Sequence, residues 1–490
     1  MYQQLLRQNY QTILSYTGFI SIIIGITTLF PILALVFYPQ EIGESLGFII
    51  PGISLIIIGF FCWKKFKLNT PSALTLSESS VIVLLAWLIA IVFGAIPFII
   101  INKLNFHQAI FESTSGWTTT GLSVINVEET SHLILLFRST IQLVGGAGFA
   151  IIALSALTAP SGSGLSIAEG RSEQLVPNVK GSAFLVLKIY TGYVAVGIVA
   201  LKLAGMNWFD AINHAFCALS TGGFSTHIDS IGYWDNPLIE IVIIGLMLAG
   251  TLNFVASYLL LTGKFQSFSR NSELHLPALL IPLGTLILFF GVTIPLYSTL
   301  SKSLRVALFE TISALSTTGF STVGYSNWSS LGWLILIILM IIGGGSGSTA
   351  GGIKQYRVYA LYRSLKWEIK RLFLPQNAVT DPDIWQGEMR SFLSDRQVRQ
   401  ISAFVGIYLL VYLVGCCVLT AYGYSLPESL FEYASSLSTV GLSVGVTASN
   451  APLGVLWIET IGMFLGRLEF FPVLLGLVRL IKDLPKIHWF

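Results

Sequence analysis

Four segments of the 490-residue chain carry one short pattern: FESTSGWTTTGLSV at 111–124, NHAFCALSTGGFST at 213–226, FETISALSTTGFST at 309–322 and FEYASSLSTVGLSV at 431–444. In register, one Thr (Thr119, Thr221, Thr317, Thr439), one Gly (Gly121, Gly223, Gly319, Gly441) and one Ser (Ser123, Ser225, Ser321, Ser443) are common to all four. The residue before the Thr always carries a hydroxyl, and the residue after the Gly is always Leu or Phe. Between Thr and Gly stand Thr120, Gly222, Thr318 and Val440. The chemistry open to such loops is coordination of a cation by oxygen. Gly admits positive φ and so lets successive carbonyls point inward, and rings of backbone carbonyls can replace an ion's hydration shell. A single S-T-x-G is better explained as a helix cap with a C-terminal glycine. Four copies in register, each after a short apolar segment, argue against that reading for the set.

A second pattern follows the third copy. Residues 343–354 read GGGSGSTAGGIK, with six glycines (Gly343, Gly344, Gly345, Gly347, Gly351, Gly352) and the hydroxyls of Ser346, Ser348 and Thr349 among them. Apolar sequence flanks both sides, so a flexible loop within a broken membrane helix fits better than a linker. A phosphate-cradling P-loop is disfavoured, because Lys354 does not follow Gly in the G-K-[ST] order and no strand precedes it. Gly343 lies roughly 20 Å along its apolar run and Arg467 roughly 22 Å along the last one, at about 1.5 Å per helical residue. A charge within a span costs at least about 2.5 kcal/mol. Arg467 is therefore expected either as a structural charge, paired with Glu469 or with loop carbonyls, or as a cationic barrier below the four loops. Arg138, Lys188, Lys202, Glu240 and Glu459 lie towards the ends of apolar runs, where snorkelling is the default. No role is assigned to them.

The elements that must position these residues belong in a membrane. Hydrophobic residues make up 54% of the chain and charged ones 10%, against roughly 25% charged in soluble domains. Apolar runs near 17–38, 46–63, 80–101, 132–157, 183–204, 236–262, 276–297, 331–362, 401–422 and 452–481 read as ten full spans. The four segments ending near Thr118, Ser220, Ser316 and Ser438 are only about 10 residues, roughly 15 Å as helix, too short for a core of about 30 Å. They suit re-entrant half-helices whose partially negative C-terminal ends favour a cation at the membrane centre.

Two spans separate neighbouring repeat glycines, so all four copies share one orientation, unlike inverted-repeat transporters. Four like units surround an axis along the membrane normal. The expected fold is an all-α polytopic membrane protein of ten transmembrane spans: four membrane–pore–membrane repeats around a pseudo-four-fold pore plus two N-terminal spans. The units are 1–70 (two spans), 71–160, 161–265, 266–365 with the loop 343–352, a cytoplasmic segment 366–399, and 400–490. A solvated loop with a helix or two, or a docking surface for a cytoplasmic partner, describes the long hydrophilic stretch near 363–400.

The net charge of +3 hides an asymmetry. Lys64, Lys65, Lys67, Arg171, Lys180, Lys264, Arg270, Arg363, Lys366, Lys370, Arg371 and Lys486 fall on one side, while the other has Lys103, Lys302 and Arg305 with acids such as Glu128, Glu129, Asp229 and Asp235. The positive-inside rule puts both termini in the cytoplasm and the short segments outside. Ten of the 46 glycines lie at the four loop positions and in the six-glycine segment. Cys62, Cys217, Cys416 and Cys417 show no metal-ligand spacing, and the adjacent pair reads as buried apolar thiols.

Over about residues 80–482 this pattern resembles the Trk/Ktr/HKT superfamily of cation transporters, and the two extra N-terminal spans make it similar to the TrkH-type bacterial potassium uptake subunit. The resemblance implies potassium as the transported substrate, since in this superfamily Gly in all four filters goes with potassium, and Ser in the first goes with sodium in some plant members. It implies a filter of Thr119, Thr120, Gly121, Thr221, Gly222, Gly223, Thr317, Thr318, Gly319, Thr439, Val440 and Gly441. Gly222 and Val440 depart from Thr and leave coordination in the second and fourth loops open. It further implies a gate made of the intramembrane loop (Gly343 to Gly352, with Lys354 beside it) and Arg467, a homodimer, a cytoplasmic TrkA-type nucleotide-binding regulatory ring, and residence in the bacterial cytoplasmic membrane. No cofactor and no nucleic acid is implied for the chain itself. A proton- or sodium-coupled cation symporter is the alternative, favoured by ionisable residues along the path, of which the sequence offers few apart from Arg467. A membrane-embedded enzyme would need a His, Asp or Glu cluster at depth, and the sequence places none there.

Overall fold

The computed structural model describes residues 2–66, 74–147, 179–375, 382–386 and 389–483. Helices carry nearly all of it, as a bilayer core without water for backbone groups requires. Six helical stretches are long and apolar enough to cross a membrane: Leu6–Val36, Leu46–Lys65, Leu76–Ile100, Phe184–Ala204, Ser272–Leu296 and Asp395–Ala421. Two more crossings are bent pairs, Pro237–Thr251 with Phe254–Leu261 at 117° and Leu453–Leu468 with Phe470–Asp483 at 103°. The chain is a polytopic helical membrane protein with six to eight such crossings among the described residues.

The run 331–362 breaks between Ile342 and Gln355, at the glycine segment expected to interrupt it. Two further runs read as unbroken spans are also broken: 236–262 at Leu252 and Asn253, and 452–481 at Glu469. Hydropathy passes over these two breaks because apolar sequence resumes at once. Backbone chemistry makes them: Asn253 accepts the Val255 N–H at 2.8 Å to start a new helix, and Glu469 has a φ of 60°. The run 132–157 is described only as far as residue 147, as the helix His132–Gly146. Its remainder, the segment 158–178, and the unit boundaries at 70–71 and 160–161 lie outside the described residues.

The four short segments form helices Phe106–Trp117, Trp208–Leu219, Leu300–Leu315 and Leu426–Leu437, of 12, 12, 16 and 12 residues. Each starts at a side chain suited to an N-cap. Asn105, Asn207, Thr299 and Ser425 accept the N–H groups of Gln108, Asp210, Lys302 and Glu428. They end at Thr118, Ser220, Ser316 and Ser438, as the sequence indicated. Among the largest fully buried side chains, Trp117, Phe111, Phe309, Phe431 and Tyr433 all belong to these helices, so the core gathers around them.

The N-terminal unit is a hairpin of Tyr2–Leu29 against Leu46–Lys65. Gly18 meets Gly59 and Gly25 meets Gly52, where added Cβ atoms would stand 2.8 Å and 2.7 Å from the opposing carbonyl oxygens. Small residues at such contacts let membrane helices approach closely. The hydrophilic segment near 363–400 holds one short departure from the helical architecture. Helix Gln355–Arg371 runs into it, followed by an antiparallel hairpin of Asp383–Gln386 and Met389–Phe392. Arg363 and Arg390 converge on Asp383 there, and the Trp385 N–H donates to Ser272 at 2.9 Å. The adjacent thiols also differ from expectation: Cys416 is buried and Cys417 exposed. Neighbours on a helix are about 100° apart and cannot both face the core.

Candidate functional site: four loops around one centre

Each short helix closes with the same backbone turn. The N–H of Thr120 reaches the Ser115 carbonyl at 2.9 Å, and Gly222 to Cys217 (2.8 Å), Thr318 to Ser313 (3.0 Å) and Val440 to Ser435 (2.8 Å) repeat it. This is the Schellman closure, in which the residue before the donor is left-handed and usually Gly. Here it is Thr every time, with φ of 57° at Thr119, 54° at Thr221, 54° at Thr317 and 52° at Thr439. A β-branched residue in that region is an outlier and costs of the order of 1–3 kcal/mol. Two residues later Gly121, Gly223, Gly319 and Gly441 are also positive, at 97°, 72°, 80° and 100°. The cap reading and the ligand reading thus describe one backbone. The cap is real, and it begins a strained stretch.

The loops touch in a closed cycle. A Cβ on Gly121 would overlap the Gly222 carbonyl oxygen, one on Gly223 that of Thr318, one on Gly319 that of Val440, and one on Gly441 that of Thr120. Positive φ alone explained these glycines from sequence; the neighbouring oxygen is a second and independent reason. Eight of the twelve loop residues named from sequence therefore meet directly, and the four left-handed Thr residues stand immediately before them. The four Thr hydroxyls differ among themselves. Thr221 Oγ1 is 3.1 Å from Thr349 Oγ1 and Thr317 Oγ1 accepts the Gly351 N–H at 2.8 Å, while the buried Oγ1 atoms of Thr119 and Thr439 have no hydrogen-bond partner among the described residues.

Behind each loop sits a buried polar side chain that the sequence reading did not use. Glu112, Glu310 and Glu432 occupy one repeat column, with His214 in the second copy. Glu112 accepts the Val124 N–H at 3.0 Å, Glu310 the Thr322 N–H at 2.8 Å and Glu432 the Val444 N–H at 3.0 Å, while His214 Nε2 lies 3.0 Å from Ser225 Oγ. They anchor the chain leaving each loop. The signal was present, as three Glu and one His at one position of a repeat. Arg138 is not a snorkelling charge: it is 2% exposed and pairs with Glu112 at 2.9 Å. Glu459 is likewise buried and accepts from the Thr447 hydroxyl. Outside the core, hydrogen bonds from Lys302 (3.0 Å) and Arg305 (2.5 Å) hold the Asp235 carboxyl below the usual carboxylate range. Arg305 also pairs with Glu240 at 3.0 Å.

The glycine segment packs against the inner ends of the loops. Gly345 N–H reaches the Thr251 carbonyl at 3.1 Å, and Thr349 Oγ1 donates to the Gly250 carbonyl at 2.9 Å. A Cβ on Gly351 would overlap Ser438 O and Thr439 Oγ1, so the segment meets the second, third and fourth loops. Gly343, with φ of 71°, and Gly352, with φ of 77°, pinch its two ends together, and Gln355 closes it by donating to the carbonyls of Gly344 and Gly343 at 2.8 Å and 3.0 Å. Gly344 and Ser348 are buried within it, Ser348 Oγ donating to Gly345 O at 2.6 Å. Ser346 and Gly347 form the part-exposed tip; the Ser346 N–H reaches Glu273 at 3.2 Å, and a Cβ on Gly347 would meet open space. Lys354 folds back to the Ala350 carbonyl at 2.6 Å. Arg467 donates to the Thr349 carbonyl and, at 2.6 Å and 3.1 Å, to those of Gly145 and Gly146. It thereby ties the segment to the first unit. Glu469, the other partner considered for it, pairs with Arg357 at 2.6 Å.

Straight and bent crossings, with four short helices whose loops touch one another, define a polytopic helical membrane protein. A family model described as a cation transport protein, TrkH, matches residues 46–483. An uncharacterised cation transporter of Methanocaldococcus jannaschii is 35% identical over 479 residues, 96% of each chain. The Trk system potassium uptake protein TrkG of Escherichia coli is 31% identical, with 94% of this chain and 96% of that one covered. The crystal structure of the potassium transporter TrkH from Vibrio parahaemolyticus matches with a TM-score of 0.83 at 28% identity, over 95% of this chain and 98% of its own. The chain belongs to the TrkH family of cation transport proteins, within the Trk/Ktr superfamily. It is a transporter and not an enzyme.

Proposed function

We propose that the chain takes up potassium across the cytoplasmic membrane through a pseudo-four-fold pore whose selectivity filter is the ring of four loops. The closed cycle of glycine-to-carbonyl contacts supports this reading, because each of the Thr120, Gly222, Thr318 and Val440 oxygens abuts the repeat glycine of a neighbouring loop. Carbonyl rings of this kind substitute for water around a dehydrated cation, and the four helix C-termini add partial negative charge. Inward movement follows from a negative-inside potential, worth about 2.3 kcal/mol per charge per 100 mV. Arg467 and the segment Gly343–Gly352 form the gate, occupying two of the four Thr hydroxyls from below. Both termini are cytoplasmic. The family resemblance extends the proposal to a homodimer and a TrkA-type nucleotide-binding ring. Helix Gln355–Arg371 leaves the gate directly and carries Arg363, Lys366, Lys370 and Arg371 towards such a partner.

Purified full-length chain in liposomes tests the proposal. Rubidium is expected to move down its gradient, and Arg467→Ala is expected to raise the flux by releasing Thr349 from Gly145 and Gly146. Absence of rubidium flux with the regulatory ring supplied would reject the pore, and unchanged flux in Arg467→Ala would reject the gate.

A further inference from the structure

We infer that Gln142 is a positioning residue for ion selectivity, setting the second filter loop through the carbonyl of Gly222; the inference rests on the filter reading above. Gly222 is the only member of its column without a side chain. The space is filled from another unit. A Cβ on Gly222 would overlap the carboxamide of Gln142, which is fully buried near the end of helix His132–Gly146. Its Nε2 donates to the Gly222 carbonyl at 2.6 Å, and its Oε1 accepts the Phe224 N–H at 3.1 Å. The two bonds fix the orientation of the amide, since one partner can only accept and the other only donate. They span the filter glycine, Gly223, from both sides.

The helices that follow the four loops, His132–Gly146, Pro237–Thr251, Ser330–Ile342 and Leu453–Leu468, each have a glycine near their end, at Gly145, Gly250, Gly343 and Gly466, and three residues earlier stand Gln142, Met247, Met340 and Met463. The three methionines are buried, and each packs in one apolar cluster with the loop of the following unit: Met463 with Leu122, Met247 with Phe320, and Met340 with Val440. The polar exception in one column thus faces the glycine exception in the other. The remaining loops are braced differently. Thr120 and Thr318 bond to the hydroxyls of Thr118 and Ser316 at 2.8 Å and 2.7 Å, and Val440 lies in apolar surroundings. Among the described residues, a side chain from another unit donates to a carbonyl of the ring at the second loop, Gln142 to Gly222. That N–H occupies one lone pair of an oxygen that abuts Gly121. It therefore sets both the position of the oxygen and the field it presents to an ion.

The test is the ratio of rubidium to sodium uptake by the full-length chain in liposomes, with thermal stability measured in parallel. Gln142→Glu keeps the shape but turns the donor into an acceptor facing an oxygen, and is expected to lower the ratio at least about fivefold, the size of one buried hydrogen bond. Gly222→Thr alone is expected to lower it too, because the new Cβ meets the carboxamide. The pair Gln142→Met with Gly222→Thr rebuilds the Thr–Met arrangement of the first and third loops, and is expected to return to within roughly twofold of the unmodified ratio. Should Gln142→Glu fail to fold, that pair decides. Recovery supports the inference, and a pair no better than the worse single change overturns it, as does a stable Gln142→Met that keeps the ratio. Gly121→Ser separates the two levels. If it changes the ratio while every Gln142 variant leaves it alone, only this inference fails; if neither changes it, the filter reading fails as well.

Discussion

In the N-terminal hairpin, Gly18 faces Gly59 and Gly25 faces Gly52, all on ordinary helical backbone. In the ring of loops, Gly121, Gly223, Gly319 and Gly441 have positive φ and each abuts the carbonyl of the next loop. Both regions use the missing Cβ for close approach. In the hairpin the approach joins two helices whose own hydrogen bonds are complete, so a larger residue parts them and costs stability. In the ring the same change displaces an oxygen. The difference shows that a glycine count says little until the atom opposite each glycine is known.

The comparison can be broken at four points. Arg138→Met should have the largest effect on stability, because it leaves Glu112 buried beside the first loop without its partner. Losing one member of such a pair costs about 3–5 kcal/mol, readable as a lowered melting temperature in detergent; an unchanged melt would remove the pair from the support of the ring. Gly121→Ser comes next. It should reduce potassium over sodium discrimination at least about tenfold, or roughly 1.4 kcal/mol, measured by competitive uptake, and equal discrimination would contradict the ring. Gly25→Val in the hairpin should cost about 1–3 kcal/mol of stability by overpacking and leave selectivity untouched. A shift in selectivity there would erase the contrast between the regions.

The smallest effect is expected at the start of the fourth short helix. Ser425→Ala removes a capping box worth about 1 kcal/mol. Hydrogen bonds from the Ser425 side chain and backbone hold the Glu428 carboxyl below the usual carboxylate range. A lowered folded-state value means that this contribution is present above the unfolded carboxylate range and lost as pH falls through the lowered value. The acid side of the stability profile should therefore be shallower in Ser425→Ala. An identical acid limb would show that the cap is not coupled to that carboxylate.

Much of the site was legible because the chain repeats itself. The four loops, their short helices and the six-glycine break all follow from spacing and apolar length. Other features were visible as letters without meaning. Glu112, Glu310 and Glu432 stand in one column, yet a carboxylate in an apolar run gives no hint that a backbone N–H twelve residues on will meet it. Arg138 was misread for a related reason: proximity to a span end suggests solvent, whereas the neighbouring helices bury it. The breaks at Asn253 and Glu469 escaped because hydropathy averages over single residues.

The sequence by itself determined the membrane class, the four copies of the loop pattern, and the residue types able to form an oxygen ring. Those depend on local composition and on the backbone freedom of individual residues. Only the tertiary structure decided which oxygen faces which glycine, that Gln142 fills the space at Gly222, and that Arg467 binds Thr349, Gly145 and Gly146 rather than Glu469. These are contacts between units tens to hundreds of residues apart. Their partners are selected by packing distance and by the need to satisfy buried polar groups, and neither is written in the order of the chain.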